Sequence, residues 1–170
     1  MTPDIAQAFA DVYLSNARFE SAITTRIMKA VPTAQGNYRP HPNSRSTIEL
    51  VWHLASSEIW FLDSFKLGKF DLDDDSMPAD LANTADIVAW YEDNFASKIE
   101  LVSKIPASAW ATSVPLFELF NQPMVMYLQF MIHHSVHHRG QLSAYLRPMG
   151  TKVPRIYGAS FDEPTEGHSA

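Results

Sequence analysis

His-His-Ser-Val-His-His-Arg-Gly-Gln, residues 133–141, places four of the chain's seven histidines within six positions. If this stretch is helical, residues four apart differ by about 40° around the axis and by about 6 Å along it. Two imidazoles at that spacing can bind one metal ion. The stretch contains two such pairs, His133 with His137 and His134 with His138.

The apolar residues of the same segment indicate which pair faces the protein core. At about 100° per residue, His134 and His138 fall on one face with five apolar or aromatic side chains. These are Tyr127, Phe130, Met131, Leu142 and Tyr145. His133 and His137 lie at the margin of that face, where water reaches them, so we take His134 and His138 as the inward pair. The alternative is two core histidines satisfied by hydrogen bonds, because a metal site needs a third protein ligand.

The composition limits what this third ligand can be. The chain has 170 residues, 46% of them apolar, which predicts one domain spanning residues 1–170. It has no cysteine, which excludes disulfides, thiolate zinc sites and a cysteine nucleophile. Any metal must therefore be bound by His, Asp or Glu. A net charge of −6 without a basic run argues against nucleic acid as a partner.

The ends and the most apolar stretch carry no membrane or export signal. The first residues lack the positive charge and apolar core of a signal peptide, so we expect a cytoplasmic protein. The stretch from Met124 to Ile132 is far shorter than the roughly 20 residues needed to span a bilayer. We expect no transmembrane segment.

The first half of the chain has the pattern of two long helices. Thr2 and Pro3 are typical of a helix start, and large apolar residues from Ile5 through Phe19 to Val31 recur at helical spacing until Pro32. Residues 32–45 are rich in proline and predict a loop. Ser46-Thr47-Ile48-Glu49 fits a capping box, and the second helix should run from there to Gly68.

His53 lies in this second helix and is the candidate for the third ligand. On its own it would be a satisfied core histidine more often than a ligand, but an inward pair that lacks a third member favours the ligand interpretation. The following segment, residues 71–80, contains five aspartates, Asp73 among them. It lacks the central glycine and final glutamate of a calcium-binding EF-hand, so we expect a solvated acidic loop.

The second half predicts two more helices. One starts near Thr84 and ends before Pro106, and the other runs from about Pro123 to Arg147. Between them, residues 106–123 show no alternating strand pattern and predict an irregular connection that is partly packed down. The fold class is therefore all-α, a four-helix bundle with long connections, whose core can bind a metal from facing helices.

The same residues resemble a known family. His53, followed some eighty residues later by residues 134–142, 145–150 and 153–154, resembles the DinB (damage-inducible) family of the DinB/YfiT-like superfamily. The likeness spans nearly the whole chain. It implies a four-helix bundle, often a homodimer, with a divalent metal bound by His53, His134 and His138. Relatives include transferases that use a low-molecular-weight thiol such as bacillithiol or mycothiol, and a mycothiol-dependent maleylpyruvate isomerase.

Three neutral imidazoles leave at least one coordination position open, as in catalytic sites. This ligand set suits zinc or nickel. A bound thiol would be deprotonated and become the nucleophile of a transferase, whereas a bound water could attack an ester or amide. The hydrolase needs a general base, and the candidates are weak: Glu49 belongs to the capping box, and Glu58 is rotated by about 140° from His53.

We therefore predict a metal-dependent transferase acting on a small molecule with a low-molecular-weight thiol as cosubstrate. The alternatives are a metal-dependent hydrolase, a non-catalytic metal-binding bundle and a bundle without metal. Gln141, Trp60 and Tyr145 lie on the same helical faces as the histidines and are candidates for the substrate pocket. Arg139 points away from the inward face, where a salt bridge or subunit contact is expected.

Overall fold

A computed structural model describes residues 1–72 and 74–164, so Asp73 of the acidic loop and residues 165–170 lie outside the described residues. The elements in chain order are α1 (Pro3–Lys29), α2 (Thr47–Leu67), α3 (Thr84–Val102), α4 (Ala107–Ala111), β1 (Ser113–Leu116), β2 (Phe120–Pro123) and α5 (Met126–Leu146). The four long helices pack as a bundle in which α1 and α2 each contact both α3 and α5. The predicted all-α four-helix fold is confirmed. In the described part of the chain, no helix is long and apolar enough to cross a membrane.

Local sequence signals set the helix boundaries. The side chain of Ser46 accepts a hydrogen bond from the Glu49 amide, and Glu49 accepts one from the Ser46 amide at 2.7 Å, so the predicted capping box is present. Gly68 ends α2 in the left-handed conformation, φ 69°, which glycine adopts without steric cost. Asn83 caps α3 one residue earlier than the predicted start at Thr84.

The large apolar residues whose spacing predicted α1 are exposed over its first two thirds. Val12 and Phe19 are 64% and 59% exposed. The buried face carries small residues instead, Ala6, Ala10 and Ala17, which let neighbouring helices approach closely. The predicted helix is present, but helical spacing alone does not distinguish a stripe of large side chains from a parallel stripe of alanines as the buried face.

The connection predicted to be irregular is partly regular. Residues 106–123 contain α4 and an antiparallel hairpin in which β1 pairs with β2. Trp110 of α4 is fully buried, as expected for a packed segment. Each strand has four residues, contains a proline, and has a phenylalanine within it or next to it. Strands of this length are too short for an alternating pattern to be recognised.

The fifth helix is buried on two opposite faces. One face lies against α2 and carries the inward histidines; the other packs against α1 and includes Ser135 and Arg139, both almost fully buried. Arg139 does point away from the histidines, but into the protein rather than toward solvent. Its Nη2 contacts Glu20 Oε2 of α1 at 2.6 Å, which is the acidic neighbour that the sequence led us to expect.

Candidate metal centre

Three histidines from two helices meet between α2 and α5. Each of His53, His134 and His138 offers a ring nitrogen, and these atoms all lie within 4.8 Å of one another. The Nε2 atoms of His53 and His138 are 3.2 Å apart, and the His134 ring centre is 4.5 Å from that of His138. The structure therefore brings together the three histidines chosen from the sequence, whereas His133 and His137 are exposed.

Contacts at the far side of two rings favour the tautomers that carry the proton on Nδ1. His138 Nδ1 donates to Gln141 Oε1 at 3.1 Å, and His53 Nδ1 lies 3.5 Å from Asp75 Oδ2. Since a neutral imidazole has one N–H, both Nε2 atoms then present lone pairs to each other. Two ligands of a tetrahedral zinc ion, each at about 2.0–2.1 Å, are about 3.3 Å apart. The spacing and donor set fit a divalent cation.

His134 supplies an independent indication of a missing ligand. Its Nδ1 is buried and has no hydrogen-bond partner among the described residues. Leaving a buried polar group unsatisfied costs about 1–3 kcal/mol, so native proteins rarely do so without a functional reason. A buried imidazole nitrogen without a hydrogen-bond partner in the protein is expected in a site that an ion completes.

The surroundings keep all three imidazoles neutral. Burial is the main cause that lowers the pKa of His134 to about 4, and the neighbouring His138 and His53 contribute to the same shift. Burial is also the main cause that lowers the pKa values of His53 and His138, although Asp75 and Gln141 partly oppose it. Metal ligation requires the neutral form, so the ligands are ready to bind near neutral pH.

Asp75 was missed at the sequence level, where its segment was expected to be a solvated loop. Its carboxylate accepts from Ser56 at 2.6 Å, and its carbonyl accepts from the Trp52 indole at 2.6 Å. These bonds hold the carboxylate against His53, a carboxylate–histidine arrangement common behind metal ligands. Nothing in a run of five aspartates identifies the one that reaches the site.

A cavity of about 490 Å³ opens beside His134. Its walls are mostly apolar and aromatic and include Trp60, Phe117 and Phe130. Of the three pocket candidates from the sequence, Trp60 lines the cavity. Gln141 instead holds His138, and the Tyr145 hydroxyl donates to the Arg45 carbonyl at 3.3 Å outside the cavity.

Arg45 immediately precedes the N-cap of α2. Its positive charge contributes to the lowered pKa of all three histidines. Among the described residues its guanidinium has no hydrogen bond or ion-pair partner, and the residue is exposed. The histidines are thus within the electrostatic influence of an exposed cationic group that does not line the cavity.

The two carboxylates considered as general bases are engaged elsewhere. Glu49 caps α2 and pairs with Arg39 at 2.7 Å. Glu58 is buried on the far side of α2, where it accepts a hydrogen bond from Tyr91 and where burial raises its pKa. Neither contacts the three histidines, which leaves Asp75 as the carboxylate nearest to them in the described chain.

Comparisons with known proteins agree with this architecture. The model of the DinB family matches residues 6–169. A DinB-like protein from Bacillus cereus superposes with a TM-score of 0.71 at 22% identity, covering 85% of this chain and 95% of its own. One from Bacillus subtilis gives 0.68 at 19% identity, covering 85% and 96%. Among curated proteins none matches this sequence.

A third solved structure is a mutant of the mycothiol-dependent maleylpyruvate isomerase. It superposes with a TM-score of 0.57 at 12% identity. The match covers 84% of this chain but 61% of the isomerase, so the larger protein includes regions without a counterpart here. At these identities all three structures establish the shared fold alone.

Proposed function

The chain belongs to the DinB family, and from this premise we propose that it is a divalent-metal-dependent transferase that joins a small electrophile to a low-molecular-weight thiol. The observation that carries the proposal is the cluster of His53, His134 and His138, neutral and without a carboxylate ligand, beside a substrate-sized cavity. Three imidazoles suit zinc or nickel and leave coordination positions open. A bound divalent ion would supply a Lewis acid that lowers the pKa of a thiol.

The protein's own residues prepare the site for two reactants. Gln141 and Asp75 orient His138 and His53, which keeps their Nε2 lone pairs directed inward. Arg45 offers a positive charge to an anionic group of the thiol cosubstrate, while the cavity beside His134 receives the apolar part of the electrophile.

The proposed transfer does not require a general base from the protein. The thiol proton leaves to water, the sulfur electron pair forms a bond to the electrophilic carbon, and the bond from that carbon to its leaving group breaks. The leaving group departs with the electron pair of the broken bond. The similarity to a mycothiol-dependent isomerase supports thiol chemistry on this fold. A cytoplasmic location belongs to the proposal because small thiols are kept reduced there.

Hydrolysis is the second candidate because Asp75 is half-exposed beside both the cavity and His53. A carboxylate in that place can accept a proton from water. Its hydrogen bonds to Ser56 and His53 instead favour an orienting role. The two candidates differ in whether a thiol is required.

The deciding experiment follows conjugation of monochlorobimane by zinc- or nickel-loaded protein with bacillithiol, mycothiol, glutathione or cysteine. Conjugation above the uncatalysed rate that needs both thiol and metal, and that is lost in His138→Ala but kept in His137→Ala, supports the transferase. Cleavage of nitrophenyl esters without thiol supports the hydrolase. If neither activity is observed, a metal-binding bundle without catalysis remains, and the proposal is contradicted.

We also propose that the chain forms a homodimer through α1. The exposed Ile5, Phe9, Val12 and Phe19 lie at helical spacing along one side of this helix, and a second copy of the same stripe would cover them in a symmetric contact. Contiguous exposed apolar residues of this kind mark interaction surfaces.

A further inference from the structure

We propose that the cavity beside His134 selects flat, uncharged aromatic electrophiles, and that Phe117 is the residue that determines this selectivity. The catalytic part of the inference rests on the proposed function, whereas the binding part does not.

The wall of the cavity is built from adjoining aromatic rings. The Phe117 ring stacks on Trp60 with centroids 6.0 Å apart and planes 19° from parallel, and the Phe61 ring packs edge-on against Trp60 with centroids 4.7 Å apart. The Trp60 indole donates to the Asp71 carbonyl at 3.0 Å, which fixes the orientation of its ring. A planar ligand can stack on such a wall, and aromatic pairs favour offset stacking.

Phe117 is held in place by a backbone that a phenylalanine adopts at a cost. Its φ is 51°, and it is the one non-glycine residue of the described chain with positive φ. Turns that need this conformation use Gly, Asn or Asp, whereas residues 116–120 read Leu-Phe-Glu-Leu-Phe. The ring is 41% exposed, so burial does not account for the choice. Unfavourable backbone conformations that persist cluster at ligand sites.

The charged side chains of the rim are acidic. Among the described residues they are Asp63, Asp74 and Asp75, with no lysine or arginine. Lys98 neutralises Asp63 from outside, at 2.6 Å. A carboxylate or sulfonate entering the cavity would meet like charge and lose its hydration to apolar walls. The volume of about 490 Å³ is within the range of small-molecule sites and accommodates a ligand of two or three rings.

The binding test compares two dyes with the same aromatic skeleton on metal-free protein, where the charge of a bound ion does not offset the acidic rim. N-phenyl-1-naphthylamine is neutral, and 8-anilino-1-naphthalenesulfonate adds one sulfonate; both fluoresce more strongly in apolar sites. We expect the neutral dye to bind with one site per chain and at least tenfold more tightly than the sulfonate. Equal affinity, or tighter binding of the sulfonate, would overturn the inference.

Phe117→Gly separates a ligand-binding role from a structural one, because glycine adopts the same backbone without steric cost. We expect the neutral dye to bind about 3- to 10-fold more weakly while the thermal midpoint changes by no more than about 2 °C. The control Phe161→Ala removes an exposed ring outside the cavity and should change neither. Unchanged affinity, or a large fall in the midpoint, would show a packing role instead. If the glycine variant fails to fold, Phe117→Leu must show the same weakened binding.

Activity separates this inference from the proposed function. With an active thiol, 1-chloro-2,4-dinitrobenzene should react faster than the aliphatic iodoacetamide, each relative to its uncatalysed rate, and Phe117→Gly should reduce this preference. If the thiol is transferred only to iodoacetamide, the inference is contradicted but the proposed transferase activity is supported. Selective binding of the neutral dye without any transfer supports the inference and contradicts the transferase.

Discussion

Gln141 orients one of the three converging histidines from the side of the ring that faces away from them. Its side-chain oxygen accepts the His138 Nδ1 proton at 3.1 Å, which leaves Nε2 free to ligate. We predict that Gln141→Leu weakens zinc binding about 10- to 100-fold, the usual effect of losing such a partner. Gln141→Glu keeps an acceptor and should retain affinity.

Competition with a chromophoric chelator measures these affinities. Gln129→Leu serves as the control because Gln129 is on the same helix and bonds Tyr13 rather than a histidine. Equal zinc affinity in the wild type and Gln141→Leu would mean that the hydrogen bond does not orient the ligand.

His134 makes the stability of the metal-free protein depend on pH. Burial lowers its folded pKa from 6.5 to about 4, so the unfolded chain binds more protons between these values. The free energy of unfolding should therefore fall as pH drops from about 6.5 toward 4 and be insensitive to this group above that range.

Urea unfolding at pH 4.5, 5.5 and 7.5 with a chelator present measures the effect. His134→Asn should lose part of the pH slope, whereas His133→Asn, at an exposed neighbouring position, should keep it. An identical slope in all three proteins would contradict the assigned burial effect.

Single residues differ in how far the sequence could identify them. The histidines at positions 134 and 138 follow from helical geometry, because the apolar side chains around them define one face. Asp75 could not be predicted, since it reaches His53 from a loop whose course depends on hydrogen bonds to Trp52 and Ser56.

At the scale of elements, the buried ion pair between Arg139 and Glu20 joins α5 to α1. Arg139 also donates to the Glu20 carbonyl at 3.1 Å, and its side chain is 1% exposed. Removing one member of such a pair strands a buried charge and costs about 3–5 kcal/mol. We predict this loss of unfolding free energy for Arg139→Ala.

Denaturant unfolding checks the prediction, with Arg147→Ala as the matched control. Arg147 pairs with Asp162 but is exposed, and exposed pairs contribute about 0–1 kcal/mol. A cost for Arg139→Ala as small as that of the control would show that the pair does not hold the two helices together.

Helices were more predictable than the short elements between them. The capping box at Ser46 and the glycine at position 68 mark both ends of α2 in the sequence itself. The hairpin of residues 113–123 has no comparable local signal, because its pairing is decided by packing against the bundle. The burial of both faces of α5 also depends on packing between distant segments, because α1 covers the face that carries Arg139.

At the scale of the whole molecule, we predict a dimer in solution. Val12→Glu introduces a charge into the exposed stripe of α1 and should convert the dimer to a monomer without loss of helix content. Light scattering coupled to size exclusion gives the mass. Leu101→Glu on α3, a residue 45% exposed, is the control and should remain dimeric. A monomeric wild type would contradict the proposed assembly.

The overall fold could be predicted from the sequence because four amphipathic segments of helical length allow few arrangements other than a bundle. The cavity could not be predicted from the sequence, since it forms between α2, the acidic loop and the hairpin. Segments distant in sequence create it only when packed. The shape of the cavity is therefore a property of the assembled molecule, whereas the three clustered histidines could be identified from the sequence.

The metal content of three purified proteins tests the central claim most directly. After incubation with zinc and removal of excess, elemental analysis should find about one ion per chain in the wild type and in His137→Ala, whose imidazole is exposed beside the cluster. His138→Ala loses one of the three converging ligands and should contain far less. Equal zinc in His138→Ala and the wild type would contradict a site formed by these three histidines.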